Sequence, residues 1–319
     1  MITGKKVLVT GGTGYLGKYI VDVLKKESYD VAIATRKENY SKQEDNQIRT
    51  IIWDITANSK PSEKFDYIVH CAGRIEGEYS ELYAANVVGT ENVLEFSLIS
   101  EAKLIHISSA GVVGKCKELH IDESISGEGH NNYEKTKRLA EDKVNDYIKK
   151  GLDVYILRPT IIFGLGREPE KDSFLQLLRT MKSGRYMNIG QGIYNLIHTD
   201  EVASAVLFLL KNDLPEKIFL INDPLSFEKL SLIVNEALGK QGKTIHISPT
   251  IGYLIGALTA VLFGIRGRKN PLTSSRVKAL SNRQIFLATR LFEAGYNIEK
   301  ATEERVKGVI GDYQESGLL

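Results

Sequence analysis

Through about residue 160, short apolar runs alternate with longer stretches whose apolar residues recur every three or four positions. The short runs predict strands, and the longer recurring pattern predicts helices. The predicted strands are Lys6–Thr10, Val31–Thr35, Ile51–Trp53, Tyr67–Cys71, Leu104–Ser108 and Val154–Leu157, and the predicted helices are Leu16–Lys26, Glu81–Leu98 and Asn132–Lys150. Strand followed by helix, repeated, is typical of a parallel sheet, so we expect an α/β, doubly wound, Rossmann-type fold.

After that point the alternation becomes irregular. The predicted elements are a loop at 163–171, a helix at Ser173–Ser183, a strand near Ile193–Ile197, a helix at Glu201–Lys211 and a strand at Lys217–Ile221. We expect the last two to return to the main sheet, whereas the remainder of the chain is mainly helical. The expected domains are a Rossmann domain of residues 1–162 and about 193–222, and a smaller, discontinuous, mainly helical C-terminal substrate lobe of about 163–192 and 223–319.

The composition narrows the function classes. The 42 Lys and Arg residues nearly balance the 40 Asp and Glu residues, so nothing indicates a nucleic-acid partner. Two cysteines, Cys71 and Cys116, are too few for a disulfide scaffold. The N-terminus enters the first strand without the apolar core and cleavage site of a signal peptide, so we expect a cytoplasmic protein. No spacing of His, Cys, Asp and Glu predicts a metal site.

The turn between the first strand and the first helix is rich in glycine. It reads Gly11-Gly12-Thr13-Gly14-Tyr15-Leu16-Gly17, with three glycines at three-residue spacing. Gly11 permits the tight turn, Gly14 lets the backbone approach a pyrophosphate, and Gly17 allows close helix packing. Free amides and the helix dipole then receive the negative charge. The turn therefore predicts a dinucleotide-phosphate site.

Thr10–Gly17 resembles the signature of the extended short-chain dehydrogenases/reductases, the NAD-dependent epimerase/dehydratase family. Further segments resemble the family's motifs in the same order: Trp53–Ile55, Val69–Gly73, Asn86–Leu94, Leu157–Thr160 and Ile197–Val202. The resemblance implies an NAD(P)-dependent enzyme that acts on a hydroxyl or keto group. It places Asp54 and Ile55 at the adenine, Ala72 and Gly73 in the fourth-strand motif, and Pro159 beside the nicotinamide.

Tyr133 and Lys137 lie four residues apart, so on a helix they share one face. A cationic Lys137 beside the phenol would lower the pKa of Tyr133 toward working pH, where the phenol can move a proton. The resemblance implies that Tyr133 is the acid/base and that Lys137 also holds the nicotinamide ribose. The alternative is a solvated pair on an exposed helix.

Ser109 follows a predicted strand and matches the family's catalytic serine. The alternative is a turn-capping serine, with Ser108 exchanging roles with it. Related 4,6-dehydratases carry an Asp-Glu pair where this chain has Ala110-Gly111, which disfavours elimination chemistry. We expect His198 to be structural.

The second strand bears on the choice of cofactor. It is followed by Arg36-Lys37, and no acid occurs there before Glu38. An arginine at this position can accept the 2′-phosphate of NADP, whereas NAD-specific proteins usually offer a carboxylate. NADP is therefore favoured over NAD, with stacking of Arg36 on the adenine as the alternative.

Nucleotide sugars are the commonest substrates of the family, so the first hypothesis is a 4-epimerase or 4-ketoreductase of a nucleotide sugar. The second is an oxidoreductase of a hydrophobic alcohol, similar to 3β-hydroxysteroid dehydrogenases or dihydroflavonol reductases. The third is an NADP-sensing regulator without turnover. The family also implies a homodimer that pairs the helices at Glu81–Leu98 and Asn132–Lys150.

Ile251–Phe263 is apolar on all sides and is followed by Arg266, Arg268 and Lys269. The run is shorter than the roughly 20 residues that span a bilayer. Burial within the protein, packing in a dimer and peripheral membrane contact through 251–269 all stay open. Steroid-dehydrogenase relatives often have a membrane-associating segment in this region.

Overall fold

The computed structural model describes residues 4–36, 48–125, 127, 129–184, 186–239, 245–265 and 272–319, with the main chain alone over 261–265. Its strands are β1 Lys6–Thr10, β2 Asp30–Thr35, β3 Arg49–Ile52, β4 Tyr67–His70, β5 Lys103–Ile107, β6 His120–Ile121, β7 Val154–Pro159, β8 Ile161–Phe163, β9 Met187–Ile189, β10 Ile193–Tyr194, β11 Leu196–His198, β12 Ile218–Ile221, β13 Leu225–Ser226, β14 Ile245–Ile247 and β15 Ile285–Phe286. Seven of them form a parallel sheet in the order β12-β7-β5-β4-β1-β2-β3. The predicted doubly wound Rossmann-type fold is confirmed.

The α-helices are α1 Tyr15–Lys26, α2 Tyr79–Tyr83, α3 Gly89–Ser100, α4 Asn132–Lys149, α5 Ser173–Lys182, α6 Thr199–Lys211, α7 Phe227–Ala237, α8 Pro249–Ile265, α9 Ser274–Leu280, α10 Thr289–Glu293 and α11 Thr302–Glu315. The predicted helix Glu81–Leu98 is not uniform, because a π-helical segment, Ala84–Val88, joins α2 to α3. Within that segment Asn86 is buried, and its amide bonds Arg74 and Thr136. Asn86 therefore links the π-helical segment to the loop after β4 and to α4.

Each sheet face is covered by its own apolar cluster, because successive side chains of a strand point to opposite faces. Val7 and Val9 of β1 belong to a cluster with residues of α1 and α6. Leu8, between them, packs in a second cluster with residues of α3 and α4. The sheet is thus buried on both faces, and its carboxyl edge is left as the place where a ligand can bind.

One predicted strand is wrong in its extent. The region near Ile193–Ile197 forms two short strands, neither of which joins the main sheet. β10 pairs antiparallel with β13, and β11 pairs parallel with β8. The helix and strand that follow, α6 and β12, do return to the main sheet as expected.

The second lobe has a smaller core of its own, built from buried residues of α5, α7 and α11. A satellite cluster of Ile189, Leu272 and Val277 lies under α8. In the described part of the chain, no helix has the length and apolar character needed to cross a bilayer.

Candidate active site

The glycine turn between β1 and α1 leaves no room for larger residues. Gly11 has a φ of +71°, and a β-carbon there would lie 2.6 Å from the Ala72 nitrogen. A β-carbon on Gly17 would lie 2.1 Å from the Gly11 carbonyl oxygen. The N-cap of α1 is Gly14, and the first turn, all of it described, carries neither a capping side chain nor a carboxylate. The open helix terminus therefore fits a phosphate.

The turn borders a cavity of about 660 Å³ at the carboxyl edge of the sheet. Eight of the predicted cofactor residues line it together: Gly11, Thr13, Gly14, Arg36, Asp54, Ile55, Ala72 and Gly73. Thr10 and Trp53, which belong to the matched motifs, also line it, as do Arg74 and Glu81, which the sequence analysis missed. Arg74 and Glu81 form a 3.0 Å ion pair at its rim. The two residues are seven positions apart, one in a loop and the other in the helix that follows, so no sequence periodicity predicted their pairing.

The six other predicted cofactor residues lie outside the cavity lining, and two of them, Tyr133 and Lys137, are described below. Leu16 and Gly17 are in the first turn of α1, and Pro159 ends β7, where it pairs with Ile221. Tyr15 contacts the loop after β8, where its hydroxyl donates to the Gly164 carbonyl at 3.0 Å.

Two other tyrosines, Tyr19 and Tyr313, also contact the loop after β8. Tyr19 of α1 donates to the Leu165 carbonyl at 3.1 Å. Tyr313 of α11 has its hydroxyl 3.2 Å from the Gly164 carbonyl oxygen and 2.5 Å from Asp172 Oδ2. The first and last helices therefore both contact one short segment, the loop after β8.

Arg36 and Asp54 lie together at one end of the cavity. The Asp54 carboxylate accepts the Thr56 N–H at 2.9 Å and the Thr56 hydroxyl at 2.8 Å. The bond from the Thr56 backbone, followed by that from its hydroxyl and by the charge of Arg36, lowers the pKa of Asp54. Both a cation and a carboxylate are therefore available at this end. Lys37 and Glu38 lie outside the described residues.

Lys137 lies between the cavity and the catalytic candidates on α4. Its buried Nζ donates to the Ile107 carbonyl at 2.7 Å. A β-carbon on Gly73, which lines the cavity, would lie 3.8 Å from that nitrogen. Burial lowers the pKa of Lys137 to about 8, against the opposing charge of Glu141. The ammonium therefore reaches the cavity from a water-poor position.

Tyr133 does not have the lowered pKa that its spacing from Lys137 suggested. Burial raises the pKa of this phenol, and a hydrogen bond with Ser109 offsets part of the effect. The expectation is wrong in this structure because the Lys137 ammonium is directed to the Ile107 carbonyl and desolvation dominates at the phenol.

The two adjacent serines have different partners. The Ser109 hydroxyl accepts the Gly111 N–H at 3.1 Å, which caps a short 3₁₀ turn, and it also contacts Tyr133. Ser108 is buried and donates to Glu141 Oε1 at 2.5 Å. Only Ser109 is thus placed beside the phenol, and it combines that position with the capping role.

A buried ion pair, which the sequence analysis missed, lies beneath these residues. Arg158 contacts both oxygens of Glu141, with Nη2–Oε2 at 2.6 Å and Nε–Oε1 at 2.9 Å. Both side chains are almost fully buried. Glu141 follows Lys137 by four residues, so an acid on the same helix face was the available signal. The pair fixes the inner face of α4.

Two histidines lie in the interior next to this network. His70 contacts the Thr10 and Thr90 hydroxyls, and burial lowers its pKa to about 3. The ring of His106 lies 5.3 Å from that of His70, and neither of its nitrogens has a hydrogen-bond partner among the described residues. Burial holds the pKa of His106 well below its ordinary value.

His198 has the structural role expected of it: its Nδ1 accepts the Asp200 N–H at 3.2 Å as the N-cap of α6. Within the described ranges, no group of three or more His, Cys, Asp and Glu side chains is arranged to hold a metal.

Comparison with known proteins extends these observations. A relative from Escherichia coli O157:H7, N-acetyl-alpha-D-glucosaminyl-diphospho-ditrans,octacis-undecaprenol 4-epimerase, is 26% identical over 302 residues, which cover 91% of this chain and 89% of the relative. The fold is similar to that of UDP-glucose 4-epimerase from Thermotoga maritima, solved with UDP-glucose, with a TM-score of 0.73, 18% identity, and coverage of 98% of this chain and 99% of that one.

The fold of this chain is also similar to that of UDP-glucuronic acid 4-epimerase from Bacillus cereus, solved with NAD. The TM-score is 0.74 and the identity 17%, with coverage of 98% of this chain and 100% of that one. The family model described as "NAD dependent epimerase/dehydratase family" matches residues 7–221, a span that includes the glycine turn, Ser109, Tyr133 and Lys137. The chain therefore belongs to the NAD-dependent epimerase/dehydratase family.

Proposed function

We propose that the chain binds NAD(P) in the 660 Å³ cavity and acts as a 4-epimerase or 4-ketoreductase of a nucleotide sugar. The observation that carries the proposal is the position of Lys137, whose Nζ lies near the lining residue Gly73 and whose helix also bears Tyr133. The names of the relatives support the substrate class, since both solved neighbours are 4-epimerases of UDP-linked sugars.

A bound nicotinamide would supply a hydride acceptor and donor at the substrate carbon. Tyr133 would hold or take the proton of the substrate oxygen, and Ser109 would donate a hydrogen bond to that oxygen. Lys137, while protonated, would bind the nicotinamide ribose from its position at the Ile107 carbonyl. Ala110 and Gly111 offer no acid for removing water, so the proposed chemistry stops at oxidation and reduction.

We propose NADP as the preferred cofactor because Arg36 is exposed at the cavity end that also contains Asp54. A guanidinium can bind a 2′-phosphate through two parallel hydrogen bonds. Titration of NADH and NADPH should give tighter NADPH binding, and Arg36→Ala should weaken NADPH binding by about tenfold, the effect of losing one charge-assisted hydrogen bond. NADH binding should stay unchanged. Equal affinities before and after the substitution would contradict the preference.

A second cavity, of about 300 Å³, lies in the second lobe between β9, the start of α7 and β15. Gly190, Phe227 and Arg283 are among its lining residues. We propose that it takes the part of the substrate remote from the reacting carbon, where Arg283 would offer a cation to a diphosphate. Arg283→Ala should then raise KM for a nucleotide sugar and leave kcat nearly unchanged.

A sugar joined through diphosphate to a polyprenol is the second candidate substrate. Two observations favour it: the name of the E. coli relative and the exposed apolar helix described below. This candidate keeps the same roles for Ser109, Tyr133 and Lys137 and changes only what is attached to the diphosphate.

The test is turnover on a panel of UDP- and dTDP-sugars, 4-keto sugars, a polyprenyl-diphosphate sugar and sterols, each with NAD and NADP. Turnover of a UDP- or dTDP-sugar supports the proposal. Turnover of the polyprenyl-linked sugar alone selects the second candidate, and turnover of a sterol alone indicates an oxidoreductase of hydrophobic alcohols. Cofactor binding without turnover of any compound would favour a redox-sensing regulator.

The homodimer stays a prediction. The helices expected to form it expose three large apolar side chains: Tyr83, Leu98 and Leu139. Pairing with a second copy would cover them. Sedimentation velocity on Leu98→Asp and Leu139→Asp variants should show a monomer where the wild-type protein is a dimer.

A further inference from the structure

Helix α8 packs against the protein through its smallest residues. Gly252 faces Ile189 and Val277, to which a β-carbon would come within 3.2 Å and 3.3 Å. At Gly256 a β-carbon would lie 2.6 Å from the Leu272 carbonyl oxygen, so only glycine allows this approach. The inward face of the helix is thus built for close backbone contact.

Ile255 packs inward on the satellite cluster, whereas three other large side chains of the same helix point outward. Ile251, Leu254 and Leu258 are 47%, 61% and 68% exposed, and their spacing of three and four residues puts them on one face. A core-facing helix has the opposite arrangement, with its large apolar residues turned inward. This exposed row, Ile251, Leu254 and Leu258, is called the outer face of α8 below.

The segment around α8 is strongly basic. Residues 237–292 contain nine Lys and Arg residues and no Asp or Glu. This segment therefore carries a charge of +9, and because the whole chain has +2, the other residues together carry −7. Arg266, Arg268 and Lys269 follow α8 in the sequence but lie outside the described residues. Lys278 is exposed on α9, the helix that packs against α8.

We propose that the outer face of α8 inserts into the surface of an anionic lipid bilayer, with Lys278 beside it and the positive charge of the segment drawn to the headgroups. The helix has 17 residues, about 26 Å at its usual rise, and would lie in the plane of the interface. Each basic residue near an anionic surface contributes about 1 kcal/mol, and the exposed leucines add apolar burial.

A second copy of the chain is a poorer occupant of this face. Pairing two outer faces by a twofold axis would bring together two segments that are rich in Lys and Arg and contain no Asp or Glu, and like charges oppose that contact. An anionic bilayer covers the apolar row and neutralises the cations at once. The proposal does not depend on the substrate or on turnover.

Sedimentation with lipid vesicles tests it. The wild-type protein should pellet with phosphatidylcholine vesicles that contain about one-third phosphatidylglycerol, and should stay in solution with phosphatidylcholine alone. The double variant Leu254→Gln, Leu258→Gln should bind the anionic vesicles at least about tenfold more weakly. Leu232→Gln on α7 is the matched control, because Leu232 is 56% exposed on another helix, and it should bind like the wild-type protein.

Circular dichroism melting and NADPH titration show that each variant is folded. If the double variant is folded and binds the anionic vesicles as well as the wild-type protein, the outer face is not the contact and the proposal fails. Equal binding to vesicles with and without phosphatidylglycerol overturns the requirement for anionic lipid. A wild-type dimer that becomes a monomer in the double variant, without vesicle binding, overturns the proposal in favour of a second copy.

Discussion

Helix α4 carries the charged residues Lys137 and Glu141 into the interior, whereas α8 carries Leu254 and Leu258 out to the surface. Buried charge costs free energy unless it is paired, and α4 pairs it with Arg158 and with a backbone carbonyl. Exposed apolar side chains stabilise the fold less than they would if they were buried. The two helices depart from the ordinary arrangement in opposite directions, since α4 buries charged side chains and α8 exposes large apolar ones.

The largest effect is expected at the phenol of α4. Tyr133→Phe should reduce turnover by about 10²-fold to 10⁴-fold, because it removes a positioned acid/base. NADPH affinity should be nearly unchanged, since the proposed ribose contact is made by Lys137. Steady-state kinetics and a cofactor titration measure both quantities. Leu258→Gln on α8 is the control, and turnover of a soluble substrate should be unaffected by it.

Substitutions in the core of the sheet and on the outer face of α8 should change the free energy of unfolding by different amounts. Leu104→Ala in β5 should lower the free energy of unfolding by about 2–5 kcal/mol, because Leu104 is fully buried and a cavity would be left. Leu258→Ala should change it by less than about 0.5 kcal/mol. Urea denaturation compares the two. A large loss at Leu258 would mean that the side chain is covered in solution.

Replacing the buried cation of α4 should stabilise the protein while damaging its activity. Lys137→Met should raise the free energy of unfolding at neutral pH by about 1–3 kcal/mol, because desolvation no longer opposes folding. The folded lysine loses its proton near pH 8 and the unfolded one near 10.5. Wild-type stability should therefore rise between those values, and the variant should lack the rise. Denaturation of both proteins at several pH values measures whether the rise occurs only in the wild-type protein.

The last expected effect concerns the buried histidines of the sheet, which should make the stability of the protein sensitive to acid. The pKa of folded His106 is far below its ordinary 6.5, so the unfolded chain binds a proton first as the pH falls. Stability should drop below pH 6.5 by about 1.4 kcal/mol per pH unit for this residue. His106→Phe keeps the ring contact with His70 and should reduce that slope. An unchanged slope would assign the acid sensitivity to other groups.

Sequence patterns located those parts of the site whose geometry is local. The glycine turn works within seven residues, and Tyr133 and Lys137 share one helix, so spacing alone placed them. The bond that directs Lys137 joins it to Ile107, 30 residues away, and no periodic pattern reports such a contact. The shift in the pKa of Tyr133 depends on burial, which was missed for the same reason.

The same limit explains the errors in the fold. β10 and β11 were predicted as one strand because their residues are continuous, yet their pairing partners lie in β13 and β8. The apolar run of α8 is apolar on all sides, so its sequence could not say which side faces the protein. Contacts with Ile189 and Leu272 decide that orientation.

The three tyrosines that hold the loop after β8 have a consequence for how such chains can diverge. Tyr15 and Tyr19 belong to the nucleotide side, whereas Tyr313 comes from the last helix of the chain. A new C-terminal lobe, acquired by recombination to change specificity, would lose Tyr313 and with it one of the three anchors of that loop. A replacement lobe would therefore have to supply its own anchor for that loop.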